Sequence, residues 1–214
     1  DPLAAFRATN VDGTLRIAKA AHRHGVRRFV FVSSIKAVAE VDPGYPLRED
    51  DPPNPGDSYG RSKLEAELML RQFAQESGLE VVIVRPPLVY GPGVRANFLS
   101  LMRAIARGVP LPLGALEARR SLVYVDNLAD AIARCATDPN AISGCFHVAD
   151  DESPTVAELA RAIGKHLGKP ARLLPVPPAW LRFAGRLTGR LPQVERLTGD
   201  LRVDNGHIRA TLGW

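Results

Sequence analysis

Apolar positions follow two alternating rhythms along the first part of the chain. Residues Leu3–His22 repeat at helical spacing and meet Gly25, which predicts a helix with a glycine stop. Val26–Ser33 reads Val-Arg-Arg-Phe-Val-Phe-Val-Ser, a β-branched and aromatic run that predicts a buried strand. Ile35–Asp57, rich in Pro, Gly and Asp, predicts a loop. Ser58–Gln75 is a second helical stretch, with Leu64, Leu68 and Met69 expected inward, Glu65 and Glu67 expected outward, and Gly78 as its end. Glu80–Val84 is a second buried strand. Helix, strand, helix, strand in that order predicts a parallel sheet covered by helices.

The pattern loosens after Pro86. Residues 86–95 read as a loop, Asn97–Arg107 as a helix, and Asp126–Ala136 as another with Asp126 as its N-cap. Cys145–Ala149 suits a short strand and Val156–Leu167 an amphipathic helix. Beyond Pro170, short elements are broken by Pro175, Pro177, Pro178 and Pro192. This half is expected to form a smaller α+β lobe. The chain shows no internal repeat.

Composition narrows the class. Of 214 residues, 45% are apolar and 24% charged, which excludes a disordered or collagen-like chain. No stretch reaches the ~20 apolar residues that span a bilayer, and Asp1-Pro2-Leu3-Ala4-Ala5 lacks signal-peptide character, so a cytoplasmic setting is expected. Cys135 and Cys145 stand outside any CxxC spacing and are expected to be buried reduced thiols, with no metal site. The net charge is +5, and Arg outnumbers Lys 23 to 5. Those arginines are scattered, which weighs against nucleic acid and suits an anionic small molecule.

The candidate chemistry begins at Tyr59-Gly60-Arg61-Ser62-Lys63. Tyr59 and Lys63, at i and i+4, share a helix face about 5–6 Å apart at Cβ. An ammonium beside a phenol favours the phenolate, so Lys63 is expected to pull the Tyr59 pKa below ~10 and fit the phenol to exchange a proton with an alcohol. Ser33-Ser34 ends the first strand and Arg85-Pro86-Pro87 the second. In open α/β sheets the reactive crevice lies beyond the carboxyl ends of the strands, so Ser34 stands where its hydroxyl can meet a substrate oxygen.

Five motifs occur in order: Asn10-Val11-Asp12-Gly13-Thr14, Val32-Ser33-Ser34, Tyr59 to Lys63, Arg85 to Pro92, and Val123-Tyr124-Val125-Asp126-Asn127-Leu128-Ala129. Through them the chain resembles the extended short-chain dehydrogenase/reductases of the NAD-dependent epimerase/dehydratase family, and most resembles bacterial UDP-glucose and UDP-N-acetylglucosamine 4-epimerases. The fold this implies is α/β: the C-terminal part of a Rossmann-like parallel sheet with helices on both faces, plus a smaller α+β substrate lobe. The N-terminal dinucleotide-binding strands are expected to be missing, because no glycine-rich GxxGxxG turn is present. Residues 1–94 would be the remainder of the NAD-binding domain. Residues 95–214 would be mostly the nucleotide-sugar lobe, with some segments returning to the Rossmann domain.

The resemblance also implies roles. Tyr59 would be the acid/base, Lys63 would hold the nicotinamide ribose, and Ser34 would bond the reacting hydroxyl. Asn10, Ser33 and Pro87 would contact the NAD cofactor. Asn97 and Phe98 would meet the nucleotide, Arg120 and Arg196 the diphosphate, and Asp200 the ribose. Ile35-Lys36 stands where sugar dehydratases carry Asp-Glu, which argues against 4,6-dehydration. Leu88 replaces a substrate-binding asparagine of many 4-epimerases. The expected function is nucleotide-sugar 4-epimerisation in surface polysaccharide synthesis, on a UDP-sugar, by a homodimer joined through Leu3–His22 and Ser58–Gln75. Neither nucleic acid nor membrane insertion is expected. A keto-sugar or ketone reductase and a non-enzymatic binding module stay open as alternatives.

Overall fold

A computed structural model describes residues 2–214. Asp1, where the first expected domain starts, lies outside the described residues. Three parallel strands form the sheet at the centre: β1 (Arg28–Val32), β2 (Glu80–Arg85) and β5 (Cys145–His147), in the order β1-β2-β5. Val32 pairs with Val84, and Val84 with Phe146. β2 is the middle strand and is buried from Val81 onward, as its apolar run Val81–Val84 must be when both faces are covered.

Side chains alternate along β2, so each face of the sheet has its own core. Val81 and Ile83 meet Val11 and Ala18, together with Ala66 and Leu70 of α3 (Ser58–Ser77). Val82 and Val84 meet Leu128, Ala131 and Cys135 of α5 (Val125–Thr137), and Ile208 and Leu212 of α9 (Gly206–Leu212). Full burial of one such aliphatic side chain stabilises by about 1.5–3 kcal/mol. The expected parallel sheet with helices on both faces is present.

The N-terminal helix is not uniform. α1 (Pro2–Arg7) and α2 (Thr14–Arg23) are joined without a break by a π-helical stretch, Ala8–Gly13, which contains Asn10. Wide π turns often mark functional positions. α3 begins at Asp57, whose carboxylate accepts from the Gly60 N–H at 2.7 Å, and ends at Gly78 with φ 76°.

Several expectations are corrected. Glu67 is buried, not outward, because Arg85 at the end of β2 meets it with hydrogen bonds of 2.6, 3.0 and 3.2 Å. Leu68 is exposed instead of inward. Residues 86–95 contain a strand, β3 (Leu88–Tyr90), which pairs in parallel with an unforeseen β4 (Leu122–Tyr124). Three residues each are too short for their alternation to show in sequence. Asp126 lies inside the first turn of α5, whose cap position is Tyr124. Cys135 and Cys145 are free thiols, both pushed up to about 11 by burial.

The C-terminal lobe carries the expected helices α4 (Ala96–Ala106) and α6 (Val156–His166) and two unforeseen ones, α7 (Pro178–Leu187) and α8 (Leu191–Thr198). Thr155 and Glu158 close a reciprocal capping box on α6. α4 and α6 pack through Phe98, Ile105, Ala160 and Ile163. Residues 200–203 then thread between two distant segments. The Leu47 N–H donates to the Arg202 carbonyl at 2.9 Å, and the Ser121 N–H to the Leu201 carbonyl at 3.0 Å. No helix among the described residues is long and apolar enough to cross a membrane.

Candidate active site

β1 delivers Ser33 and Ser34 to the carboxyl edge of the sheet. There the chain turns through Ile35–Ala37, with the Ser34 hydroxyl accepting from the Lys36 N–H at 3.2 Å. α3 starts against this turn. Gly60 is required there, since a Cβ would fall inside contact with the Lys36 carbonyl oxygen and 3.2 Å from Pro55. That close approach sets the Tyr59 phenol where the Ser34 hydroxyl acts to lower its pKa. The Tyr59 ring is further braced edge-on by Phe6, centroid to centroid 5.7 Å. So Ser34, Tyr59 and Lys63 sit at one strand end.

The electrostatics differ from expectation. Burial raises the Tyr59 pKa above its usual 10; the Ser34 hydrogen bond and the Lys36 charge pull it down, and Asp57 pushes it up. The Lys63 ammonium donates to the Val32 carbonyl at 2.9 Å and lies 4.6 Å from the Phe31 ring centre. Burial lowers the Lys63 pKa, against Glu67, which raises it. Lys36 is a cation that lowers the pKa of the phenol.

Lys36 belongs to a charged cluster. Its ammonium reaches Asp57 at 2.8 Å and Glu40 at 3.2 Å. Burial would lower its pKa, but those two carboxylates leave it raised. Arg196 joins from α8, 2.8 Å from Glu40 and 3.9 Å from Asp57. The i,i+4 spacing of Lys36 and Glu40, and Asp57 directly before a helix, were the available sequence signals.

Arg120, just before β4, is the most suggestive of the predicted anion-binding residues. Its Nη1 is buried and has no hydrogen-bond partner among the described residues. Burial lowers its pKa, while Asp200, Asp42 and Glu40 act to raise it. A buried guanidinium nitrogen without a partner is ready for an oxyanion. Asp200 is held by the Arg119 N–H at 2.7 Å, and Arg202 clasps Asp42 at 2.9 and 3.1 Å.

The remaining predicted residues divide. Asn10 donates to the Ser62 hydroxyl at 2.9 Å, and Ser62 donates to the Tyr59 carbonyl at 2.8 Å, so Asn10 braces the first turn of α3. Pro87 is buried at the end of β2. The Ser33 hydroxyl donates to Glu67 within the buried Arg85 pair. Asn97 is exposed in the first turn of α4, whereas Phe98 is a core residue stacked on Tyr90 at 6.0 Å. A cleft of about 1030 Å³ lies between Tyr90, Met102, Leu122 and Ile163 and contains none of Ser34, Tyr59 and Lys63.

The NAD dependent epimerase/dehydratase family matches residues 1–148. A UDP-glucose 4-epimerase of Vibrio cholerae is 45% identical over 216 positions, covering 100% of this chain and 66% of its own. The crystal structure of a Thermus thermophilus UDP-glucose 4-epimerase in complex with NAD overlays with TM-score 0.73 at 25% identity, covering 96% of this chain and 64% of that one. A UDP-glucose 4-epimerase structure from Thermotoga maritima gives 0.77 at 24% identity, covering 99% of this chain and 65% of that one. The chain spans just under two thirds of the length of these relatives.

Proposed function

The chain belongs to the NAD-dependent epimerase/dehydratase family of enzymes, and from that premise we propose that the protein carrying it interconverts nucleotide sugars at C4, as a UDP-glucose or UDP-N-acetylglucosamine 4-epimerase. The observation that carries the reading is the Tyr59 phenol placed at the strand ends where the Ser34 hydroxyl acts on it, with the Lys63 ammonium on the Val32 carbonyl beside them. We assign residues 1–94 to the cofactor-binding domain and residues 95–214 mostly to the sugar-nucleotide lobe. The packing of α5, α9 and β5 on β2 supports the return of some later segments to the first domain.

Tyr59 takes the proton of the sugar 4-hydroxyl and returns it. Ser34 bonds the same oxygen and shares its hydrogen bond with the phenol. NAD, the family's cofactor, supplies the redox capacity at C4 when bound. Lys63 fits that group in part: one ammonium proton goes to Val32, which leaves others for ribose hydroxyls. Pro87 and Asn10 border the same edge. The unpartnered Arg120 nitrogen suits a diphosphate oxygen, and Arg196, drawn toward Glu40, stands by as a second anchor. Glu40 and Asp57 are both held in ion pairs, and neither directly follows Ser34, which supports epimerisation over 4,6-dehydration.

The biological setting we infer is surface polysaccharide synthesis, by a homodimer joined through α1–α2 and α3. Exposed Phe6, Ile17 and Leu68 on those helices support that contact. The test uses the full-length protein with catalytic NAD⁺ and either UDP-sugar, following anomeric protons by NMR. The galacto epimer without net NADH supports the proposal. Stoichiometric NAD(P)H consumption with a keto sugar would replace it with the reductase reading, and neither signal would leave a binding module.

A further inference from the structure

α7 buries one side and leaves a large apolar face uncovered. Leu181 packs toward Leu113, Leu116 and Val156, while Gly185 lies against Val194 of α8. Opposite them, Trp180 is 66% exposed, Phe183 56% and Leu187 73%. Positions 180, 183 and 187 fall on one face at 3.6 residues per turn.

The segment of chain that carries this face has charge of one sign. Residues 159–194 hold seven Lys and Arg and no Asp or Glu: Arg161, Lys165, Lys169, Arg172, Arg182, Arg186 and Arg190. Elsewhere the chain has 21 basic and 23 acidic residues, so its net positive charge resides in this segment. Arg182 and Arg186 are exposed on α7, and Arg190 is exposed just after it. Trp, Phe and Leu on one side of a short helix, framed by arginines, is the pattern of a helix lying in a lipid interface. Anionic headgroups attract such a basic margin over about a Debye length.

We propose that α7 docks the protein on an anionic membrane surface, with Trp180, Phe183 and Leu187 entering the headgroup–acyl boundary and Arg186 and Arg190 meeting lipid phosphates. This is shallow seating of one helix, distinct from membrane crossing, and it stands independently of the 4-epimerase reading. A neutral surface lacks the complement to the arginines. A protein partner or a second copy would account for the apolar face but not for the absence of acidic residues over 36 positions.

The experiment is co-sedimentation of the full-length protein with phosphatidylcholine vesicles containing one quarter phosphatidylglycerol. Binding is expected at 0.1 M salt, with at least a tenfold loss at 0.5 M salt or with pure phosphatidylcholine. The variant Trp180→Ser/Phe183→Ser/Leu187→Ser is expected to bind at least tenfold more weakly with an unchanged circular dichroism spectrum, since all three side chains point outward. Arg186→Gln/Arg190→Gln should reduce the salt dependence. Brominated acyl chains should quench part of the tryptophan emission, and Trp180→Phe should remove that quenching while still binding. Absence of vesicle binding, or equal binding by the triple variant, overturns the proposal. So does a fall in oligomeric mass in the triple variant without any vesicle binding by the parent, which would make the face a contact between copies.

Discussion

Burial and charge act on the Tyr59 phenol in opposite directions, and the balance sets the pH at which it serves as base. Burial raises its pKa; Ser34 and Lys36 lower it. Removing the Lys36 charge in Lys36→Met takes away a lowering influence, so the acidic limb of the kcat–pH profile should move to higher pH. Ser34→Ala should move it the same way and also reduce kcat by about 10²–10⁴-fold, the usual range for a positioned proton-transfer partner. An unmoved limb in Lys36→Met would show that this lysine does not reach the phenol. Lys63 and Tyr59 were legible from their spacing alone, but the direction of the lysine was not. A four-residue step places two residues on one face, while Phe31 and the Val32 carbonyl decide where the ammonium goes.

His147 offers a second residue-scale prediction. It is fully buried, its Nδ1–H donates to the Leu47 carbonyl at 3.1 Å, and burial together with Arg85 lowers its pKa to about 4. In the unfolded chain the value is ~6.5. Between the two, the unfolded chain binds more protons than the folded one. Stability is therefore full above pH ~6.5 and falls as pH drops toward 4, by about 3 kcal/mol in all. Urea midpoints at pH 7.5 and pH 4 should differ accordingly, and His147→Leu should shrink the difference.

At the scale of elements, α3 joins the candidate site to the sheet in two ways. Its start depends on Gly60 and its middle on Glu67. Gly60→Ala should displace Tyr59 from Ser34 and lower kcat/KM by about 10²-fold, the scale of a misplacement near 1 Å, with a smaller effect on melting temperature. Glu67→Leu strands Arg85 without its partner and should destabilise by about 3–5 kcal/mol, whereas Glu67→Leu/Arg85→Met should recover most of that. Calorimetry of the pair separates the two. Helical periodicity placed α3 and its boundaries almost correctly, yet it marked Glu67 as outward because a charged residue is usually solvated. Arg85 at the tip of the strand passing beneath, and Ser33 at the end of β1, explain its burial. β3 and β4 were hidden for another reason: each is short, and each exists through the other.

At the scale of the whole molecule, the order helix, strand, helix, strand made the sheet readable, because both periods are local. The thread of residues 200–203 was not readable. Its partners are Leu47 and Arg119–Ser121, and nothing in its own composition points to either. Asp42 shows what that thread holds. Its side chain is 1% exposed, and although burial acts to raise its pKa, hydrogen bonds from Arg202 leave it lowered. That contribution is present above the ordinary Asp value of ~3.9 and is lost as pH falls through the lower folded value. Asp42→Asn should cost about 1–3 kcal/mol at pH 7 and less at low pH, as read by urea titration.

The same clasp bears on how the chain is made. Asp42 and Arg202 are 160 positions apart. At a synthesis rate of about 5–20 residues per second, Asp42 waits roughly 10–30 s before its partner exists. Throughout that interval the segment around Asp42 lacks the Arg202 clasp, and Leu47 is held only by His147 and its core neighbours Ile35, Val38 and Ala149, while β1, β2 and α3 are already available to one another. Nascent chains stalled before Arg202 should therefore be cut by protease around residues 42–47 and protected in α3, which makes the thread the closing step of translation rather than a seed for it.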